Sequence, residues 1–174
     1  MKIPLRLAGE PLPPPPGPVL LATGFRPFFL GAALFAVVSI PLWMVLLTAG
    51  GRTGLPGAQW HAHEMVFGYT VAVMAGFFIT AVPNWTGSRE ASAEFVTASG
   101  LVWLLGRLAV WFSASLDPVL VAAADLACVP LLSCAIFTRL TRKSQARNTV
   151  FLLLLSALFA GNLMMHLEWI GWMD

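Results

Sequence analysis

The chain has 174 residues, of which 58% are hydrophobic and only 10% are charged, and its mean hydropathy is +0.80. The polar residues are too few to cover a water-soluble globule of this size. The composition therefore excludes an ordinary soluble domain and predicts a protein that lies mostly in lipid. We predict no nucleic-acid partner, although the formal net charge is +2. In a membrane protein the basic residues in the loops set the orientation of the spans.

The N-terminal segment, residues 1–18, is rich in proline. Proline cannot donate a backbone hydrogen bond and favours an extended conformation, so we expect a disordered tail here. The rest of the chain, residues 19–174, is then a single transmembrane domain. The prolines concerned are Pro11, Pro13, Pro14, Pro15, Pro16 and Pro18.

Five apolar segments follow in chain order. About 20 apolar residues are needed to cross the hydrocarbon core of a bilayer, and each segment is close to that length. The fourth begins at Asp117-Pro118, a pair typical of a helix start. The sequence therefore predicts an all-α integral membrane protein, a bundle of about five transmembrane helices. The predicted spans are residues 27–47, 59–82, 95–113, 118–137 and 149–172.

The basic residues predict the orientation of these spans. With five spans, all the loop arginines and lysines except Arg52 fall on one side, and that side is normally the cytoplasm. We therefore expect a cytoplasmic N-terminus and a C-terminus outside, in a multi-pass protein of a bacterial inner membrane. The residues on the cytoplasmic side are Lys2, Arg6, Arg26, Arg89, Arg139, Arg142, Lys143 and Arg147.

All three histidines then lie at one membrane depth. His61 and His63 follow the start of span two, and His166 precedes the end of span five, within about 9 Å of the same surface at a rise of 1.5 Å per residue. Imidazoles on facing helices are common ligands of iron, copper and zinc, so a metal or haem site is predicted. Because His61 and His63 point about 200° apart, one of them would face a second metal or water. The alternative is that the histidines hydrogen-bond one another, a nearby carbonyl, or Glu64 and Glu168.

Arg107 and Asp125 are charged residues inside spans three and four. Each lies eight to ten residues from the turn at Asp117-Pro118, so they should face each other on antiparallel helices. Pairing removes much of the cost of a charge in the membrane, which predicts a structural ion pair; the alternatives are neutralising haem propionates or conducting protons. A transporter is disfavoured, because neither inverted repeats nor broken midplane helices are apparent. Two cysteines in span four, Cys128 and Cys134, fit buried structural thiols.

Four motifs, in order, resemble the NnrS family. They are 24–29 (GFRPFF), 60–68 (WHAHEMVFG), 75–77 (AGF) and 80–87 (TAVPNWTG), and the stretch 148–166 is also similar. The resemblance implies a bacterial inner-membrane protein of the nitric oxide response that contains haem, of b type, and copper. Carried over to this chain, it implies that the ligands are His61, His63 and His166, with Glu64 and Arg26 as supporting groups.

The chain is also shorter than the family pattern. Typical members are about twice this length, with correspondingly more spans. The leading hypothesis is a haem and/or copper protein acting in the nitric oxide response or in respiratory metal and redox handling, completed by self-association or by a partner membrane subunit. The alternative is an accessory or assembly subunit of a larger membrane complex without its own cofactor. Whether the protein is an enzyme is left open.

Overall fold

A computed structural model describes residues 20, 23–49, 53–140 and 150–173. The proline-rich tail, Arg52 and three of the basic loop residues (Arg142, Lys143 and Arg147) lie outside the described residues. Within them every regular element is helical. The elements are α1 (Phe25–Ala49), α2 (Gly57–His63), a π-helical turn called the π segment (Glu64–Thr70), α3 (Val71–Thr86), α4 (Ala93–Trp111), α5 (Pro118–Leu126), α6 (Cys128–Leu140) and α7 (Val150–Ile170).

The prediction of a five-helix membrane bundle is confirmed. Five helical stretches are long and apolar enough to cross a bilayer, and each overlaps a predicted span. The second stretch runs through α2, the π segment and α3, and the fourth runs through α5 and α6. They cover Phe25–Thr48, Gly57–Thr86, Ala93–Trp111, Pro118–Leu140 and Val150–Ile170. The side on which the N-terminus lies stays a prediction.

Local sequence explains where the spans begin and end. The Asp117 carboxylate accepts hydrogen bonds from the backbone N–H groups of Val119 and Leu120, and Pro118 occupies the first turn of α5, as expected for a helix start. Span two continues a few residues beyond its predicted range of 59–82. Pro83 lies inside α3, which continues to Thr86 and ends at Gly87, whose φ of 56° suits a residue without a Cβ.

Two of the spans are irregular, contrary to the sequence reading. The π segment interrupts span two, where the Thr70 hydroxyl donates to the Met65 carbonyl five residues earlier. Span four is interrupted at Ala127, between α5 and α6. Pro130 accounts for this second break, because proline has no N–H for the carbonyl four residues before it, that of Leu126, and its ring crowds that carbonyl.

Three layers follow one another along the bundle axis. At the end formed by the loops 53–56 and 112–117, called here the histidine end, lies an aromatic layer. It contains Trp43, Trp60, Trp111 and Trp169 around the buried Leu46, Leu55, Val110 and Val121. A charged layer comes next, and beyond it an apolar layer extends toward the other end. The apolar layer includes Phe28, Ala72, Phe78, Val82, Leu132 and Leu155.

The cysteines are only partly as expected. Cys128 is buried in the apolar layer, whereas Cys134 is exposed on the surface of the bundle. Six residues separate them, so they lie on different sides of the helix and only one faces the interior.

Candidate functional site

The charged layer consists of polar side chains that are all buried inside the bundle. Four helices and the π segment supply them, each from within about 12 Å of the helix terminus at the histidine end. Groups of this kind inside a membrane protein mark sites of function, because burying them without a purpose is costly. The members are His63 from α2, Glu64 from the π segment, Arg107 from α4, Asp125 from α5, and Asn162 and His166 from α7.

Asp125 is the centre of this layer. Its Oδ2 atom lies 2.9 Å from Nε2 of His166 and 3.1 Å from Nε2 of His63, and it accepts a 2.8 Å hydrogen bond from the amide of Asn162. Its other oxygen, Oδ1, accepts from the Arg107 guanidinium. One carboxylate thus connects α5 with α2, α4 and α7.

Arg107 joins both carboxylates of the layer. It donates through Nη2 to Asp125 and through Nη1 to Oε1 of Glu64, at 2.9 Å in the second case. Arg107 was predicted to pair with Asp125 alone, and Glu64 is a further partner. Two carboxylates and one guanidinium would leave the layer with one uncompensated negative charge. Such a charge favours an additional cation there.

Two glycines allow the helices to approach around this arginine. A Cβ on Gly68 would lie 2.7 Å from Nη1 of Arg107 and 2.8 Å from Oε2 of Glu64. A Cβ on Gly106 would lie 3.1 Å from the Cα of Asp125. The contacts at Gly68 would force the two side chains to shift, and the contact at Gly106 would be tighter than usual, so glycine at both positions makes room for the ion pairs.

His63 has an oxygen opposite each of its ring nitrogens. Nδ1 is 3.1 Å from Oε1 of Glu64, and Nε2 is 3.0 Å from Oδ1 of Asn162 as well as close to Asp125. A neutral imidazole carries one N–H, so if Nδ1 donates to Glu64, the lone pair of Nε2 points at oxygens that can only accept. A cation at Nε2 resolves this conflict, whether a proton or a metal ion.

Three ligand atoms converge on that position. Nε2 of His63, Nε2 of His166 and one carboxylate oxygen of Asp125 all lie within 4.8 Å of one another. Metal bonds of about 2.0–2.1 Å at right angles would place neighbouring ligand atoms about 2.9 Å apart. The separations from Asp125 Oδ2, 2.9 and 3.1 Å, are of that size. Two imidazoles and one carboxylate suit copper, iron or zinc.

The contact between His63 and Glu64 supports the same interpretation. Histidines that bind metals usually donate their second ring N–H to a carboxylate, which fixes the tautomer and the ring orientation. Glu64 has this position relative to His63, and Arg107 holds Glu64 in turn. Trp169 packs on both histidine rings, at centroid distances of 5.0 and 4.9 Å.

His61 does not join the charged layer. It lies in the same helix as His63 but two residues earlier, and its ring stacks on Trp43 at a centroid distance of 3.9 Å. The angle of about 200° between such positions explains the separation. A role for His61 as a separate ligand stays a prediction.

Arg26 lies at the opposite end of the bundle from the histidines. It is in the first turn of α1, where its guanidinium contacts the Phe25 ring, whereas Trp43, which touches His61, is 17 residues further along the helix. That separation corresponds to about 26 Å at 1.5 Å per residue. The structure therefore does not bring Arg26 to the histidines, and a supporting role for it stays a prediction.

Sequence reasoning missed Asn162 and the link between Asp125 and the histidines. Both signals were present. Asn162 and His166 are four residues apart and so share one face of α7. Asp125 follows a turn at the histidine end, so its depth matches that of His63 and His166. The two predicted features, the histidines and the ion pair, form one cluster.

The comparisons with known proteins agree with the sequence motifs. The family model described as NnrS protein matches residues 19–174. No match was found among curated proteins or among solved structures. The matched range includes every helix and every member of the charged layer, so the chain belongs to the NnrS family.

Proposed function

We propose that this membrane protein binds copper between His63, His166 and Asp125 and acts in the nitric oxide response of the bacterial inner membrane. The observation that carries the proposal is the convergence of two imidazole nitrogens and one carboxylate oxygen on one buried point, beside a carboxylate that orients one of the histidines. Copper is chosen among the divalent ions because it binds such donor sets most tightly.

The residues of the charged layer have distinct roles in this proposal. His63 and His166 supply the imidazoles, and Asp125 supplies the charge that balances the ion. Glu64 orients His63, and Arg107 neutralises the second carboxylate without competing for the ion. A redox-active metal ion with an open coordination position can bind a small molecule such as nitric oxide.

Haem does not fit this cluster. An iron bound by His63 and His166 would need a porphyrin plane between the two rings. Both Nε2 atoms instead contact the same oxygen of Asp125, and the ring centroids are 5.7 Å apart. We therefore assign the haem of the proposal to His61, which lies outside the charged layer and whose Nδ1 has no hydrogen-bond partner among the described residues.

The test is a measurement of metal and haem in protein purified in mild detergent, after expression with copper and a haem precursor supplied. We expect stoichiometric copper, a Soret band that disappears in His61→Ala, and an electron paramagnetic resonance change when nitric oxide is added. A protein with neither copper nor haem would overturn the proposal. Copper without a Soret band would contradict only the haem part of the proposal.

The second candidate is an accessory subunit without its own cofactor. It is favoured by the internal pairing of the charged layer, in which Arg107 already links Glu64 and Asp125. If His63 carried a proton in place of the metal, the layer would be neutral and purely structural. Co-purification from native membranes separates the candidates, because a subunit of this kind would retain partners and lack metal.

A further inference from the structure

A cavity of about 80 Å³ leads from the loops of the histidine end to His166. Its mouth is formed by Gly54 and Pro118, which are both exposed, and its inner end by Val121 and His166, which are 3% and 1% exposed. Leu55, Ser113 and Trp169 also line it. The cavity therefore joins the surface of the bundle to a ligand of the charged layer.

The mouth is held by a contact between the two loops. The backbone N–H of Gly54 donates to the Ser113 hydroxyl at 3.0 Å. A Cβ at Gly54 would lie 3.1 Å from the same hydroxyl oxygen and 3.3 Å from the backbone nitrogen of Ala114. Glycine here lets the loops meet over the entrance without filling it.

The lining decides what the cavity can admit. Among the described residues that line the cavity, His166 alone is ionisable, so a charged solute would lose water there with little compensation. A single water needs about 10–15 Å³ of such space, so the cavity has room for a few water-sized molecules and none for a larger ligand. Small uncharged molecules fit it in both size and polarity.

We propose that this cavity is an entry route and binding site for a small uncharged diatomic molecule, which it brings from the histidine end to His166. The inference rests on the proposed function, since the molecule would reach the metal held by His63, His166 and Asp125. Trp169 closes the inner end, because it lines the cavity and packs on both histidine rings.

The experiment uses xenon as the probe and metal-free protein in detergent, so that its outcome does not depend on metal binding. Methyl resonances of Leu55 and Val121 should shift saturably with xenon pressure. Val110, which is equally buried in the aromatic layer, should not respond. In Val121→Phe the added ring fills the cavity, so the shift of the Leu55 methyls with xenon pressure should be lost. If this variant does not fold, Leu55→Phe fills the cavity from the other wall.

Dissolved dioxygen, a paramagnetic diatomic, tests whether a ligand reaches the histidine. It should broaden the ring resonances of His166 in the wild-type protein and much less in Val121→Phe. Unshifted Leu55 and Val121 methyls, or the same broadening in both proteins, would overturn the inference. Loss of copper with a normal xenon response would instead count against the proposed function and leave the cavity standing.

Discussion

The charged layer and the apolar layer are built on opposite principles within one bundle. The apolar layer is held by close packing, as in the contacts of Phe78 and Trp85 with Phe151 at centroid distances of 5.3 Å. The charged layer is held by ion pairs and hydrogen bonds that converge on Asp125. Since lipid is as apolar as leucine, packing suffices to join helices, and a charged layer needs another reason to exist.

The comparison teaches that the charged layer is the specialised part of the molecule. Two carboxylates, two histidines and a guanidinium placed there cost free energy of insertion, whereas apolar residues at the same positions would not. The glycines at positions 68 and 106 add no packing of their own and make room for Arg107 and Asp125. The apolar layer therefore supports the fold, and the charged layer defines the site.

The largest effect is expected for Asp125→Ala. It leaves Arg107 without one of its two carboxylate partners, and removing one partner of a buried pair costs about 3–5 kcal/mol. Thermal unfolding followed by size-exclusion chromatography should show a large loss of folded protein. Asp117→Ala is the matched control, because this exposed aspartate only caps α5 and its loss costs about 1 kcal/mol. Equal effects of the two substitutions would contradict the central position of Asp125.

Leu132→Ala tests the other layer. Leu132 is 1% exposed and packs in the apolar layer, so its truncation should lower stability by about 2 kcal/mol through lost packing contacts. Copper content per folded chain should stay unchanged, since no member of the charged layer is touched. Loss of copper in folded Leu132→Ala protein would show that the two layers are not separable.

Glu64→Gln should weaken copper binding and preserve the fold. The amide keeps an oxygen for Arg107 but no longer orients His63 as a charged acceptor, and such changes weaken metal affinity about 10- to 100-fold. Competition titration with a copper chelator measures the change. Glu168→Gln, on the same end of the molecule but exposed, is the control expected to leave affinity as it was.

The smallest effect on stability is expected when alanine replaces Gly68 or Gly100. Gly68→Ala should cost about 1 kcal/mol, or more if Arg107 is displaced, because the new Cβ overlaps its guanidinium. Gly100→Ala, where a Cβ meets nothing within 4 Å, should be neutral or slightly stabilising. Unfolding temperatures of the two variants, measured side by side, would contradict this account if their order were reversed.

Depth along the helices could be predicted from the sequence, and rotation about them could not. The number of residues from a loop gives the depth of His63, Arg107 or Asp125 through the rise per residue. The side of a helix that faces the protein interior is normally predicted from the contrast between apolar and polar residues. A span surrounded by lipid is apolar on every side, so this contrast is missing. The ion pair of Arg107 and Asp125 could therefore be predicted from the depth of the two residues. The convergence of this ion pair with the histidines could not be predicted.

The π segment was the other part that sequence could not supply. It places Glu64 beside His63 and Arg107, and its Gly68 carbonyl accepts a hydrogen bond from the Trp103 indole at 2.8 Å. Nothing in the local pattern distinguishes residues 64–70 from ordinary helix, since such turns arise from tertiary contacts. The place of Arg26, at the other end of the bundle, was not apparent from the motif that carries it, because a motif does not fix which end of a helix meets the site.

The most direct test of the account is the copper content of four purified proteins: the wild type, His63→Ala, His166→Ala and His61→Ala. Only His63 and His166 lie in the charged layer, so we predict that these two substitutions abolish copper binding and that His61→Ala keeps it at the wild-type level. Copper retained in both His63→Ala and His166→Ala, or lost in His61→Ala alone, would contradict a metal centre in the charged layer.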